Sequence, residues 1–85
     1  IDSLTSVWAK ELGSFGIRCV SIAPGYINTN STHSAINKTL VTSLKKEIPL
    51  KRLGNAQDVA NTIKFVIEND YINGKIIPVD GGLVI

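Results

Sequence analysis

Residues 21–29 read Ser21-Ile22-Ala23-Pro24-Gly25-Tyr26-Ile27-Asn28-Thr29. An apolar run beginning at Ile17 meets a Pro-Gly pair and gives way to a polar loop. A short buried strand bounded by turn signals has this form. The pattern predicts a strand over Ile17 to Ala23, covered on both faces. It stops where Pro24 cannot donate to a ladder and Gly25 lets the backbone turn sharply. In an open parallel sheet, ligands bind just beyond the carboxyl ends of the strands. The turn from Pro24 onward is therefore a candidate ligand wall.

On its amino-terminal side, Ile1, Leu4, Val7, Trp8 and Leu12 recur at helical spacing, with Asp2, Lys10 and Glu11 off the stripe. This predicts an amphipathic helix with packing residues on the stripe, capped at Gly13. Gly13-Ser14-Phe15-Gly16 follows a helix and precedes a strand, the reverse of a dinucleotide fingerprint, and reads as a turn. Cys19 lies mid-strand and reads as a small apolar residue.

On the carboxyl side, 28–34 is polar and aperiodic, a loop in which His33 has no convergent partner for metal or proton chemistry. Ile36, Leu40, Val41, Leu44 and Ile48 form a second helical stripe, with Lys45 and Lys46 suiting its C-terminal end and Pro49 breaking it. Residues 49–54 form a connector in which Lys51-Arg52 reads as a solvated pair. Asn55 and Asp58 are spaced as a capping box for a third helix carrying Val59, Ala60, Ile63, Val66 and Ile67, widened by Phe65. A turn at 71–74 leads to a last strand, Lys75 to Val79. Pro78 marks it as an edge strand or the end of ladder bonding. Asp80-Gly81-Gly82 is a tight turn.

Alternation of helices and strands predicts an α/β fold with parallel strands. Two strands cannot cover these apolar faces, and the chain opens with Ile inside a predicted helix. Residues 1–85 are therefore expected to be one segment of a longer domain. At 85 residues with a single cysteine, the chain has no internal disulfide and no thiolate metal cluster to staple it, and the cysteine usage fits a cytoplasmic setting. A net charge of +2 is too small to imply nucleic-acid or membrane binding. No apolar run approaches membrane-helix length and no signal peptide is visible at the start.

Four pieces, in order, carry a family resemblance. They are Leu4-Thr5 with Ala9-Lys10-Glu11-Leu12-Gly13; Gly16-Ile17-Arg18-Cys19-Val20 with Ala23-Pro24-Gly25-Tyr26-Ile27 and Thr29; Pro49-Leu50 with Arg52-Leu53-Gly54 and Asp58-Val59-Ala60; and Gly74-Lys75 with Val79-Asp80-Gly81-Gly82. Together they resemble the C-terminal third of a short-chain dehydrogenase/reductase, with a flavour of the 3-oxoacyl-carrier-protein reductase and glucose-dehydrogenase-like members. The resemblance implies the C-terminal part of a doubly wound, Rossmann-type parallel sheet. It implies NAD or NADP as cofactor and hydride transfer with a small carbonyl or alcohol substrate.

In that family the positions of Pro24, Gly25, Ile27 and Thr29 line the nicotinamide. Ile27 offers backbone groups, and Thr29 its hydroxyl, to the carboxamide. Tyr26 is then a substrate-side residue, and about 30–47 resembles the variable substrate-covering segment. Family members are commonly homodimers or homotetramers. The Gly-rich fingerprint and the Ser, Tyr and Lys catalytic residues are not in this sequence; neither Tyr26 nor Tyr71 is followed four residues later by Lys, so catalytic residues are expected upstream of Ile1. Ser21 stands where most members carry Asn, and Asn30 where acidic residues are common. The segment alone is expected to be inactive. A non-catalytic, truncated member acting as a binding or oligomerisation module is the alternative.

Overall fold

The two predicted strands lie side by side in the computed structural model, which describes residues 2–28 and 35–83, and for Asp2 and residues 35–37 the backbone only. In chain order the elements are α1 (Asp2–Gly13), β1 (Ser21–Pro24), α2 (Ala35–Glu47), α3 (Ala56–Glu68) and β2 (Ile76–Val79). β1 and β2 pair in parallel, Ser21 opposite Ile76 and Pro24 opposite Val79. Parallel neighbours cannot be joined by a tight turn, so the chain crosses over through α2 and α3, and α3 packs on both strands.

The pairing shows how Pro78 is accommodated. Ser21 N–H donates to Lys75 C=O at 2.9 Å and Gly25 N–H to Val79 C=O at 3.0 Å. The odd-numbered residues of β2 thus face β1. In a parallel ladder the intervening residues address the other side, so the N–H that Pro78 lacks falls on the outer edge. Among the described residues no strand lies there.

The predicted strand over 17–23 is shortened to Ser21–Pro24, because β2 offers ladder partners only from residue 76. Ahead of it the chain is held by irregular bonds. Cys19 N–H donates to Asn73 Oδ1 at 2.8 Å and Gly74 N–H to Cys19 C=O at 2.8 Å, while Asn73 Nδ2 reaches Ala9 C=O at 3.3 Å. Gly74 has φ +69°, and a Cβ on it would lie 3.2 Å from the Ala9 Cβ. That close approach is what allows α1 to seat on the β2 approach. The expectation of two covered faces also fails within this segment: β1 is half-buried up to an exposed Pro24, and Ile17 is exposed.

α1 forms where predicted, with a different face inward. Thr5 and Ala9 are its buried residues, 3% and 5% exposed, and Thr5 Oγ1 hydrogen-bonds Ser21 Oγ at the start of β1. Leu4, Val7 and Trp8 of the predicted packing stripe stand nearly half exposed. A sheet two strands wide is too narrow to reach that stripe.

The most buried large side chain is Ile48, directly after α2. It rests on the 80–82 turn, where Gly81 has φ +64° and a Cβ would come within 2.8 Å of Ile48 Cγ2. Both the left-handed backbone and the contact require glycine there.

α3 is secured at both ends. Asn55 caps its start in a reciprocal capping box with Asp58. At its end Arg18 supplies the cations that α3 itself lacks: one terminal guanidinium nitrogen donates to the carbonyls of Val66, Asn69 and Ile72 at 2.9, 3.0 and 3.2 Å, and the other to Ile67 at 3.3 Å. These include carbonyls that a helix end leaves without intrahelical donors. Arg18→Met in the intact protein is expected to lower stability by about 1.5–3 kcal/mol, the range for hydrogen bonds to a charged group. Urea unfolding measures it, and an unchanged midpoint would show the clasp to be idle.

Candidate functional site

Beyond the carboxyl end of β1 the chain is pinned on both flanks. Gly25 N–H is bound to Val79 on β2, as above. Tyr26 C=O then accepts from Gly54 N–H at 3.0 Å, and Asn28 N–H donates to Gly54 C=O at 2.7 Å. The result is an isolated parallel bridge between Ile27 and Gly54. Its geometry consumes the groups either side of Ile27 and leaves Ile27's own N–H and C=O without a partner among the described residues. One residue at a parallel strand's carboxyl end thus presents a donor and an acceptor together. A neutral amide, which carries one of each, is the complementary ligand.

Gly54 makes that arrangement possible. A Cβ on it would come within 2.9 Å of Ile27 Cδ1 and 3.8 Å of Tyr26 C=O, so the glycine leaves room for the Ile27 side chain where the two segments meet. Gly54 is in turn positioned by the start of α3. Arg52 donates through one guanidinium nitrogen to Asp58 Oδ2 at 3.1 Å and to Leu53 C=O at 3.1 Å. The same Asp58 oxygen accepts from Asn55 N–H at 2.9 Å. The Asn55 N–H, and next the Arg52 guanidinium, hold the Asp58 carboxyl below its ordinary value of 3.8, against the opposing effect of desolvation.

The sequence-predicted residues Pro24, Gly25, Tyr26 and Ile27 are gathered in this one turn. Pro24 is exposed at the end of β1 and Ile27 is half-buried against Gly54. Tyr26, 39% exposed, forms one wall of a hollow of about 640 Å³ shared with Leu50, Gly54, Asp58, Val79 and Asp80. This hollow opens beyond the carboxyl ends of both strands. Thr29 and His33 lie outside the described residues. The predicted solvated pair Lys51-Arg52 splits: Lys51 Nζ donates back to Lys46 C=O at 2.7 Å, while Arg52 turns to Asp58. Cys19 is a half-buried free thiol. Among the described residues no group of His, Cys, Asp or Glu could hold a metal ion, and no helix is long and apolar enough to cross a membrane.

In the sequence Gly54 stands in the family-like Arg52-Leu53-Gly54 piece of a connector, with no role of its own. The available signal was a glycine immediately before the Asn55 cap, at a position with no turn that demanded it.

Comparison with known proteins places this geometry. The model of the family described as enoyl-(acyl carrier protein) reductase matches residues 1–84. The chain is 43% identical over 87 residues to a 3-oxoacyl-(acyl-carrier-protein) reductase of Thermotoga maritima, spanning all of this chain and 35% of that protein. It is 42% identical over 85 residues to the human (3R)-3-hydroxyacyl-CoA dehydrogenase, spanning 98% of this chain and 32% of that one. Among solved structures, a small-chain dehydrogenase in complex with NADPH superposes with a TM-score of 0.83 at 33% identity, over 96% of this chain and 38% of its own. The chain spans no more than about a third of the curated relatives it matches. Its α/β architecture is thus that of a segment of the doubly wound, Rossmann-type sheet.

Two substitutions probe the bridge. Gly54→Val in the intact protein should displace Ile27 and cost about 1–3 kcal/mol by overpacking, whereas Gly54→Ala should cost less because Ile27 Cδ1 can swing aside. Equal urea midpoints for all three proteins would deny the contact. Asp58→Asn tests the charge. A carboxyl whose pKa is depressed on folding contributes stability above its unfolded pKa and loses it as pH falls through the folded value. The gap in unfolding midpoint between wild type and Asp58→Asn is therefore expected at pH 7 and should close as pH drops below 3.8; a gap independent of pH would assign the loss to packing.

Proposed function

The chain belongs to the short-chain dehydrogenase/reductase family, and from that premise we propose that the intact protein is an NAD(P)-dependent oxidoreductase acting on a small carbonyl or alcohol. The observation that carries the reading is the N–H and C=O of Ile27, without a partner among the described residues, in a turn fixed on both sides by Gly25 and Gly54. Nicotinamide, when bound, supplies the two-electron chemistry: a hydride passes to the carbonyl carbon while its oxygen gains a proton, or the reverse. The chain's own residues do the positioning. Ile27 receives the carboxamide through its backbone pair, Thr29 adds its hydroxyl, and Pro24 with Gly25 forms the wall beside the ring. Buried amide groups left unmatched cost about 1–3 kcal/mol each, so this pairing selects one orientation of the ring and hence one hydride-delivering face. Tyr26 lines the substrate side, and α2 belongs to the segment that covers it and excludes water.

The name of the NADPH-bound structural relative supports the cofactor class. The names of the two relatives acting on acyl carbonyl or hydroxyl groups support the reaction class. Assembly as a homodimer or homotetramer in the cytoplasm belongs to the same proposal. A non-catalytic module is the competing reading. Oxidation of NADPH or NADH by the intact protein, followed at 340 nm with a panel of small ketones, separates the two. In the intact enzyme Thr29→Val is expected to raise the cofactor KM about tenfold, equivalent to ~1.4 kcal/mol, with the circular dichroism spectrum unchanged. Identical KM and kcat would remove Thr29 from the site.

A further inference from the structure

Adjoining the turn, on the side of Asn28, is a second groove of about 450 Å³ lined by Asn28, Lys38, Val41, Thr42, Lys45 and Arg52, closed by Leu53. We propose that it is a subsite for an anionic group, a carboxylate or a phosphomonoester, at the far end of the substrate. This rests on the oxidoreductase reading for the word substrate, and on the groove alone for the anion.

Three of the lining side chains are cations and none is an acid. Among the described residues neither Lys38 nor Lys45 forms an ion pair or a side-chain hydrogen bond. Arg52 commits a single nitrogen to Leu53 and Asp58, leaving its other donors without partners. The remaining basic residues nearby are disposed differently: Lys51 is spent on the Lys46 carbonyl, and neither Lys46 nor Lys51 lines the groove.

Helix electrostatics account for only part of this pattern. Lys45 lies in the last turn of α2, where a cation complements the helix dipole. Lys38 is the fourth residue of the same helix, whose first turn holds no acid. A cation near that positive end opposes the dipole rather than complementing it. Lys38 and Lys45, seven residues and two turns apart, nevertheless share one face with Val41 and Thr42, and that face fronts the groove. Uncompensated positive charge in a concave wall concentrates an anion. The groove begins one residue past Ile27, so an anion held there would be anchored beside the hydride-transfer position and orient the reacting carbon. Its small volume and few cations fit a small anionic handle rather than the extended acidic face of a carrier protein.

The intact enzyme tests this with three alcohols of one carbon skeleton, ending in a carboxylate, a phosphomonoester or a methyl ester. The Lys38→Gln/Lys45→Gln double variant is expected to raise KM at least tenfold for one or both anionic substrates, and the larger effect identifies the handle. The methyl ester and the cofactor KM should move less than twofold, and the anionic KM of wild type should climb with salt. Lys64→Gln, on the exposed surface of α3, controls for net charge. Equal effects on all three substrates, no effect on any, the same effect from Lys64→Gln, or sensitivity confined to acyl-carrier-protein substrates would overturn the groove while leaving the oxidoreductase reading in place. If no substrate turns over, that reading fails instead, and the groove is judged by titrating inorganic phosphate into isotope-labelled protein. Amide shifts at Lys38, Thr42, Lys45 and Arg52 that vanish in the double variant support it; shifts unchanged in the double variant, or none, overturn it.

Discussion

Two hydrogen bonds at one glycine hold the functional end of this chain together. Gly54 donates to Tyr26 and accepts from Asn28, and through them it welds the turn after β1 to the start of α3. Most turns are shaped by their own residues. This one is shaped from outside, by a residue in another segment whose missing side chain leaves room for Ile27. The turn's exposed pair of backbone groups on Ile27 follows from that approach, since the neighbours on either side are already spent. The Arg52–Asp58 pair is then more than a surface salt bridge. Exposed pairs are worth little in stability, but this one, with the Asn55 N–H on the same carboxylate, fixes where Gly54 sits.

The opposite end of the molecule is held by a different device with the same logic. Arg18 precedes β1 and reaches the carbonyls closing α3, while Asn73 ties the approach of β2 to Ala9 on α1 and to Cys19. Each strand end thus has its own polar anchor. The short ladder between them needs such support. Two four-residue strands bury little apolar surface, and with Ala9 and Ile48 as the buried apolar side chains among the described residues, directional bonds carry the relative placement of the elements. Thr5 fits the same scheme, a buried hydroxyl spent on Ser21 that sets the height of α1 against β1.

What the sequence made legible was whatever its chemistry encodes locally. Asn55 and Asp58 announce a helix start three residues apart, and α3 begins there. Pro49 ends α2's pattern by removing a backbone donor, whereas Pro24, read as the stop of β1, is its last residue, paired with Val79, and Gly25 N–H still donates to Val79 C=O. Residues 17–20 have β-forming composition but stay outside the strand because β2 offers ladder partners only from residue 76. Arg18 was hidden for a related reason. It stands in an apolar run as a lone interruption, while its acceptors lie 48 to 54 residues away. Gly54 is intermediate: the residue is visible, but its purpose depends on a segment that only folding brings alongside. The α1 stripe was legible as a helix and misleading as a core, because periodicity states that a face is to be covered and not by what. The family resemblance supplied roles for Pro24 to Thr29 that no local pattern could.

The charge on the covering segment follows from the same division between local and distant causes. A helix built only for stability would place acids in its first turn and bases in its last. α2 has the bases in its last turn and no acid in its first, so half of its pattern answers the dipole and half does not. An apolar stripe ending in the buried Ile48 secures its C-terminal end against the 80–82 turn, leaving the end that carries Lys38 to face the groove. That orientation puts the charge of the exposed Lys38 on the same groove as Asn28. The turn at Ile27 offers neutral hydrogen-bonding groups, and the groove beside it offers cations. Under the proposed reading, two neighbouring sites of such different chemistry would discriminate between ligand groups: an anion would gain little from the neutral amide pair, and a carboxamide little from the lysines. The Gly54 bridge keeps them adjacent, because it fixes Ile27 and Asn28 against the same connector that carries Arg52.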